Sequence, residues 1–318
     1  MSESWTRENA RRALKPVIEV LDRHIERLAG NRARQLDEGL NSEVIDLRSQ
    51  VIELRSQVED MQAGRFAVDL LLGPQGRRNS RLITEPGIRE LAAEVQLVTG
   101  DPEAYGRVVQ TYRLLFELEL RGVGRLAGSA RNILGKLATT PLLRPPSGEV
   151  LEIGTLFGLF SGGMARQVSR IGLRYQLTIV DPLASVQLQE GDLKPDASGS
   201  PVTETVVLAN LALAGVEPDR MRLIKGFSED PAVQAMISDR VYGIVIIDGD
   251  HSVAGVTNDL AIAERVTAPG GVVVVDDYGA HNWPGVEQAV SAYLEAGQDR
   301  TRLELIGIVA TSAFLRAR

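Results

Sequence analysis

The chain has 318 residues, and its 35 Lys and Arg against 42 Asp and Glu give a net charge of −7. It holds no Cys and three His, which excludes disulfides, thiolate metal sites, a cysteine nucleophile and a histidine-rich metal centre. The acidic balance argues against a nucleic-acid partner, since phosphate contacts need a basic face. No apolar run approaches the ~20 residues of a membrane span, and the charged opening MSESWTRENARR lacks a signal peptide's apolar core. The expectation is a cytoplasmic protein with no membrane partner.

Residues 1–65 are rich in Arg, Glu and Gln. Val17, Leu21, Ile25 and Leu28 keep helical spacing over roughly 12–29. A seven-residue repeat follows: VIDLRSQ (44–50), VIELRSQ (51–57) and VEDMQAG (58–64). Val44, Val51 and Val58 share one heptad position, and Leu47, Leu54 and Met61 lie three residues on. β-Branched residues at the first position and mostly Leu at the second suit a parallel coiled-coil dimer. Ile45 and Ile52 widen the stripe, so packing on a larger bundle, or on the chain's own globular part, is the alternative reading. The expected partner is a second copy, giving a homo-oligomer through the N-terminal helices.

Residues 66–148 read as a helical connector or cap. GPQGRRNS (73–80) is a loop, and helical patterns cover 88–98, 105–120 and 129–138. PLLRPPSG (141–148) is a stiff linker because consecutive Pro excludes helix. A domain boundary is expected just before 149.

From 149 to 318 short apolar runs alternate with helical stretches. The runs are EVLEI (149–153), QLTIV (176–180), MRLIK (221–225), GIVII (243–247) and GVVVV (271–275), and 303–317 reads as two closing strands. Such runs mark strands buried on both faces of a parallel sheet. The predicted fold is α/β, a doubly wound and mostly parallel seven-stranded sheet, with an N-terminal helical region that includes a short coiled coil. Ligands of such sheets lie beyond the carboxyl ends of the strands, so the strand-end residues are the candidate site.

After the first strand, Gly154 allows a tight turn ahead of a helix whose N-terminus suits an anionic or polar ligand group. After the second, Asp181 is spaced to accept both hydroxyls of a ribose, or else initiates a turn before Pro182. Asp248, Gly249, Asp250 and His251 follow the fourth strand, and Asp276 and Asp277 follow the fifth. Carboxylates converging from neighbouring strands repel unless a proton or cation intervenes. A thiolate-free oxygen set suits Mg²⁺, Mn²⁺ or Ca²⁺.

The stretches VLEIGTLFG, TIVDP, IVIIDGDHSVAGVTNDL and APGGVVVVDDYGAHNWPGVEQAV resemble class I S-adenosylmethionine-dependent methyltransferases. More narrowly they resemble the metal-dependent O-methyltransferases that modify sugars of macrolide and aminocoumarin antibiotics, and the cephalosporin-hydroxylase-like group. The resemblance spans about 149–318. It implies S-adenosylmethionine and a divalent cation, Mg²⁺ foremost, as cofactors, and a small-molecule hydroxyl, on a sugar or glycoconjugate, as acceptor. It implies that Glu152, Gly154 and Gly158 form the cofactor turn, Asp181 holds the ribose, and Phe227 and Ser228 lie near the adenine. Asp248 would border the cofactor and, with Asp276 and Asp277, bind the metal. Leu156 departs from the pattern, since many such enzymes have a second glycine there.

An aliphatic alcohol, with a pKa near ~15.7, is ionised far more easily on a cation; a phenol, near ~10, needs less help. Asp250 and His251 are both candidates for the base. The spacing and the resemblance favour Asp250, and the ordinary pKa of imidazole favours His251. Trp283 either stacks on the acceptor or packs in its loop. The polar segment 188–205 reads as a substrate lid or a plain insertion. The competing functions are an NAD-dependent oxidoreductase, disfavoured because GxGxxG is missing and Tyr278 is followed by Asn282 rather than a Lys, and an inactive cofactor-binding scaffold on a coiled coil.

Overall fold

The computed structural model describes residues 15–24, 38–72, 83–123, 129–184, 201–297 and 301–318. The expected loops at 73–80 and, for the most part, 188–205 lie outside these residues, as does the end of the first expected helix. The chain divides into two units, Met1–Val68 and Asp69–Arg318.

Arg55 reaches back to Asp22 at 3.3 Å. Leu47, Leu54 and Met61 of α1 (Glu38–Leu72) are exposed, and Val51 and Val58 half-buried.

The second unit begins with three helices, α2 (Glu85–Thr99), α3 (Ala104–Leu120) and α4 (Ala130–Leu142). The Thr84 hydroxyl accepts from Gly87 N–H to open α2, and left-handed Gly100 closes it. Sheet and helices then alternate: β1 (Glu149–Ile153), α5 (Leu159–Arg170), β2 (Gln176–Asp181), α6 (Glu204–Ala214), β3 (Met221–Lys225), α7 (Pro231–Ile237), β4 (Tyr242–Ile247), α8 (Val253–Val266), β5 (Thr267–Val275), α9 (Pro284–Glu295), β6 (Leu303–Val309) and β7 (Ser312–Ala317). The five apolar runs and the closing pair are therefore strands, as their pattern predicts. The helical patterns of the connector also form, except that α4 continues through Pro141 to Leu142.

The sheet order is β3-β2-β1-β4-β5-β7-β6, with β7 antiparallel to β5 and β6. β1 pairs in parallel with both β2 and β4, so the chain changes direction across the sheet at β1. That switch point opens the crevice in which such sheets hold ligands.

Alternation along the uniformly apolar strands sorts side chains to two cores. Val150, Ile244, Ile246, Val272 and Val274 pack with Leu91, Leu115, Leu118, Leu134 and Leu137 of α2, α3 and α4, and with Met164 of α5. Leu151, Ile153, Val245, Ile247, Val273 and Val275 pack with Ile237 of α7, Leu260 of α8 and Val290 of α9. The helices assigned above to a connector thus share one core with the sheet. The expected boundary at 149 falls inside this unit, because α2–α4 cover one face of the sheet rather than standing apart from it.

Candidate active site

Each strand end is hooked to its neighbour by one backbone hydrogen bond. Gly154 N–H donates to Val180 O (2.9 Å), Asp248 N–H to Ile153 O (2.8 Å) and Asp276 N–H to Ile247 O (2.9 Å). This brings the ends of β2, β1, β4 and β5 into one row.

The glycine turn follows β1. Gly154 has φ 85°, and a Cβ there would lie 2.1 Å from the backbone oxygen of Asp248, so only glycine fits between the two strands. Leu156, at the position where many of the enzymes it resembles carry a second glycine, has φ 55°. The turn keeps the left-handed conformation and a leucine bears the strain, about 1–2 kcal/mol. Gly158, with φ 81°, caps α5. Asn210 of α6 ties the turn by donating to Phe157 O at 2.9 Å.

Asp181, at the end of β2, clamps that turn. Its Oδ2 accepts from the backbone N–H of Thr155 (2.9 Å) and Leu156 (3.2 Å), and its Oδ1 from that of Leu183 (2.8 Å). With two lone pairs per carboxylate oxygen, Oδ2 is filled and Oδ1 keeps room for one hydroxyl donor, one fewer than the two expected. Glu152 is buried in β1 and accepts from the Ser161 hydroxyl. Burial pushes its carboxyl up to about 8, against the pull of that hydrogen bond. Beyond β3, Phe227 is exposed, while the Ser228 hydroxyl donates to buried Asp259 at 2.6 Å. Burial raises Asp259 to about 6.

The carboxylates expected at the ends of β4 and β5 do converge. Alternation turns Asp248 and Asp276 toward the face that α4 covers, and Lys136 of α4 lies between them. Its ammonium is 3.1 Å from Asp248 Oδ2, in contact with Asp276 Oδ2, and 4.9 Å from the centre of the Phe160 ring. Its side chain is 1% exposed. One turn earlier on α4, Asn132 donates to Asp276 Oδ1 at 2.8 Å, and the Ser312 hydroxyl donates to the same oxygen at 3.0 Å. Burial works to discharge Lys136, but the two facing carboxylates outweigh it and hold the ammonium charged, above its ordinary range. Burial and the neighbouring Asp248 raise Asp276, whereas Lys136 keeps Asp248 ionised, overcoming its own burial.

These residues do not fit a divalent ion as they stand. Asp248 and Asp276 already share a cation, and among the described residues no group of three His, Asp or Glu is disposed to hold a metal. An ion within ~4 Å of the ammonium would meet a repulsion on the order of 8 kcal/mol at an effective dielectric of about 20.

His251 stands on the other side of Asp248. Its Nε2 lies 3.6 Å from Asp248 Oδ1 and its Nδ1 3.6 Å from Asp277 Oδ2. Asp277 is held at φ 55°. Burial would lower the imidazole pKa, but Asp248, Asp277 and Asp276 raise it above its ordinary value. Trp283 meets the His251 ring edge-on, with centroids 4.9 Å apart, so its part is to pack that ring. Asp250 turns away: its carboxylate is exposed and accepts from Ser252 N–H (2.9 Å) and the Ser252 hydroxyl (2.7 Å), a local turn ahead of α8.

Lys136 and Asn132 are the functional residues the sequence reading missed. They sit at i and i+4 on α4, a spacing that puts two polar groups on one helix face. That signal is visible in ARNILGKLA, but nothing in it says that the face enters the site.

The strand order, with its switch at β1, the glycine turn and the strand-end carboxylates, is the arrangement of a class I S-adenosylmethionine-dependent methyltransferase. Residues 151–278 match a family described as "Methyltransferase domain". An uncharacterized protein of Acanthamoeba polyphaga mimivirus is 30% identical over 164 residues, which are 49% of this chain and 66% of that relative. The O-methyltransferase TomG of Streptomyces achromogenes, involved in tomaymycin synthesis, is 19% identical, with 67% of this chain and 90% of that one covered and a TM-score of 0.41. A TDP-rhamnose 3'-O-methyltransferase of calicheamicin biosynthesis is 18% identical, with 74% and 96% covered and a TM-score of 0.45. An O-methyltransferase of Bacillus cereus is 13% identical, with 80% and 94% covered and a TM-score of 0.37.

Proposed function

We propose that the protein transfers the methyl group of S-adenosylmethionine to a hydroxyl of a small molecule, with His251 as the base. The observation that carries this reading is the imidazole held between Asp248 and Asp277, one strand away from the glycine turn. The cofactor would lie over Gly154 to Gly158, its ribose toward Asp181 and its adenine toward Phe227. The sulfonium methyl would then face the ends of β4 and β5. Transfer is an in-line displacement, and alignment of the acceptor oxygen, methyl and sulfur can contribute ~7–11 kcal/mol. The acceptor proton passes to His251, whose basicity the two flanking carboxylates raise. Asp250 is occupied by Ser252 and is set aside as the base. No step runs through a divalent ion.

A lone ammonium does not chelate two oxygens of a vicinal diol as a divalent ion can. The sugar acceptor therefore rests on the motif resemblance alone, and phenols belong in the same screen.

The test is calorimetric binding of S-adenosylmethionine, followed by a methyl-transfer screen of sugar nucleotides, glycosides and phenols. His251→Asn should lower kcat by about 10²–10⁴-fold and leave cofactor affinity unchanged. Wild-type turnover in His251→Asn would remove the base assignment, and a failure to bind S-adenosylmethionine would remove the whole reading.

A further inference from the structure

We infer that Lys136 is the resident cation of the β4–β5 carboxylate cluster and takes the place of the divalent ion that the strand-end motif invites. Three observations lead here. Asp248 and Asp276 come from adjacent parallel strands and both direct one oxygen to the Lys136 ammonium. Asp276 has its other oxygen filled by Asn132 and Ser312, so the chain's own donors occupy both. The ammonium is sealed from water, with Phe160 on its remaining side.

Each feature is a choice the chain need not have made. A long, flexible lysine is ordinarily at the surface, and a buried one is tolerated only when paired. Here two carboxylates pair one lysine, so the ammonium balances one negative charge and leaves the other to stabilise the positive charge that a neighbouring imidazole gains when it takes up a proton. His251 occupies that flank, between Asp248 and Asp277. The cluster is thereby built from lysine, carboxylate and imidazole alone. Asn132 and Lys136 arrive together because one helix carries both, which fixes Asp276 in orientation as well as in charge.

For the acceptor, the inference rests on the methyltransferase reading: proton removal would proceed in the presence of a chelator. The occupancy of the cluster itself can be tested without turnover. Full-length protein is stripped with EDTA and titrated with Mn²⁺, read by calorimetry and by the electron paramagnetic resonance of free ion. Wild type should show no stoichiometric Mn²⁺ binding, and its melting temperature should not change between EDTA and Mn²⁺. Lys136→Met removes the ammonium at nearly constant volume. It should acquire one Mn²⁺ site at least about 100-fold tighter than any wild-type affinity, whereas Lys136→Arg should not. One tightly bound Mn²⁺ per wild-type chain overturns the inference, as does a folded Lys136→Met that gains none. If Lys136→Met does not fold in EDTA, rescue of its folding by Mn²⁺ supports the inference and absence of rescue overturns it. S-adenosylmethionine binding, measured on the same samples, separates this result from the broader one. Its absence speaks against the methyltransferase reading and leaves the Mn²⁺ result standing.

Discussion

Glu152 shows how a residue of this site trades stability against pH. Its carboxyl is raised from 4.5 to about 8 by burial, so between those values the folded chain holds a proton that the unfolded chain has released. The unfolded state then binds fewer protons, and stability falls as pH rises through that window. The full difference corresponds to a loss of roughly 5 kcal/mol by about pH 9. Glu152→Gln keeps an acceptor for Ser161 and cannot ionise. Its melting temperature should decline less than that of wild type between pH 5 and 9. Parallel declines would show that Glu152 is ionised in the fold. Asp181 illustrates a different economy: one carboxylate fastens three backbone N–H groups, and the turn that includes strained Leu156 is held by it.

At the scale of elements, the site depends on how closely helices approach. Gly162 of α5 faces α6, and a Cβ there would meet Ala214 Cβ at 2.6 Å. The two helices can therefore touch along their backbones, and Asn210 of α6 reaches the turn beneath α5. Gly162→Val should push them apart, lower stability by about 1–3 kcal/mol in urea unfolding, and weaken S-adenosylmethionine binding through the displaced turn. A stable variant with unchanged affinity would show that the approach is not needed. Helix α4 serves the site more directly, delivering Asn132 and Lys136 from a segment whose sequence pattern reads only as a connector.

At the scale of the whole molecule, α2–α4 belong with the sheet, and Met1–Val68 is a unit of its own. Removing residues 1–68 should leave a chain with a cooperative thermal transition, followed by circular dichroism. Leu47, Leu54 and Met61 are exposed along α1 in the single chain, so the same truncation should lower the mass measured by light scattering. An unchanged mass would mean that the heptads do not join copies.

The sequence alone determined the sheet. Runs such as GIVII and GVVVV are too short and too β-branched for helices, and their spacing leaves room for one helix each. It also pointed to a candidate site, because ligands gather at the carboxyl ends of parallel strands and the Gly154 turn, Asp181, Asp248, Asp276 and Asp277 all stand there. What fills the space between the carboxylates was decided only by the fold. Asp276 and Lys136 are 140 residues apart, and pairing at such a separation has no local signature. The same holds for Asp250 and His251, one residue apart and alike in sequence. A turn closed by Ser252 sends the first outward, and β5 with Trp283 holds the second in, because the direction of a side chain is set by what packs against it.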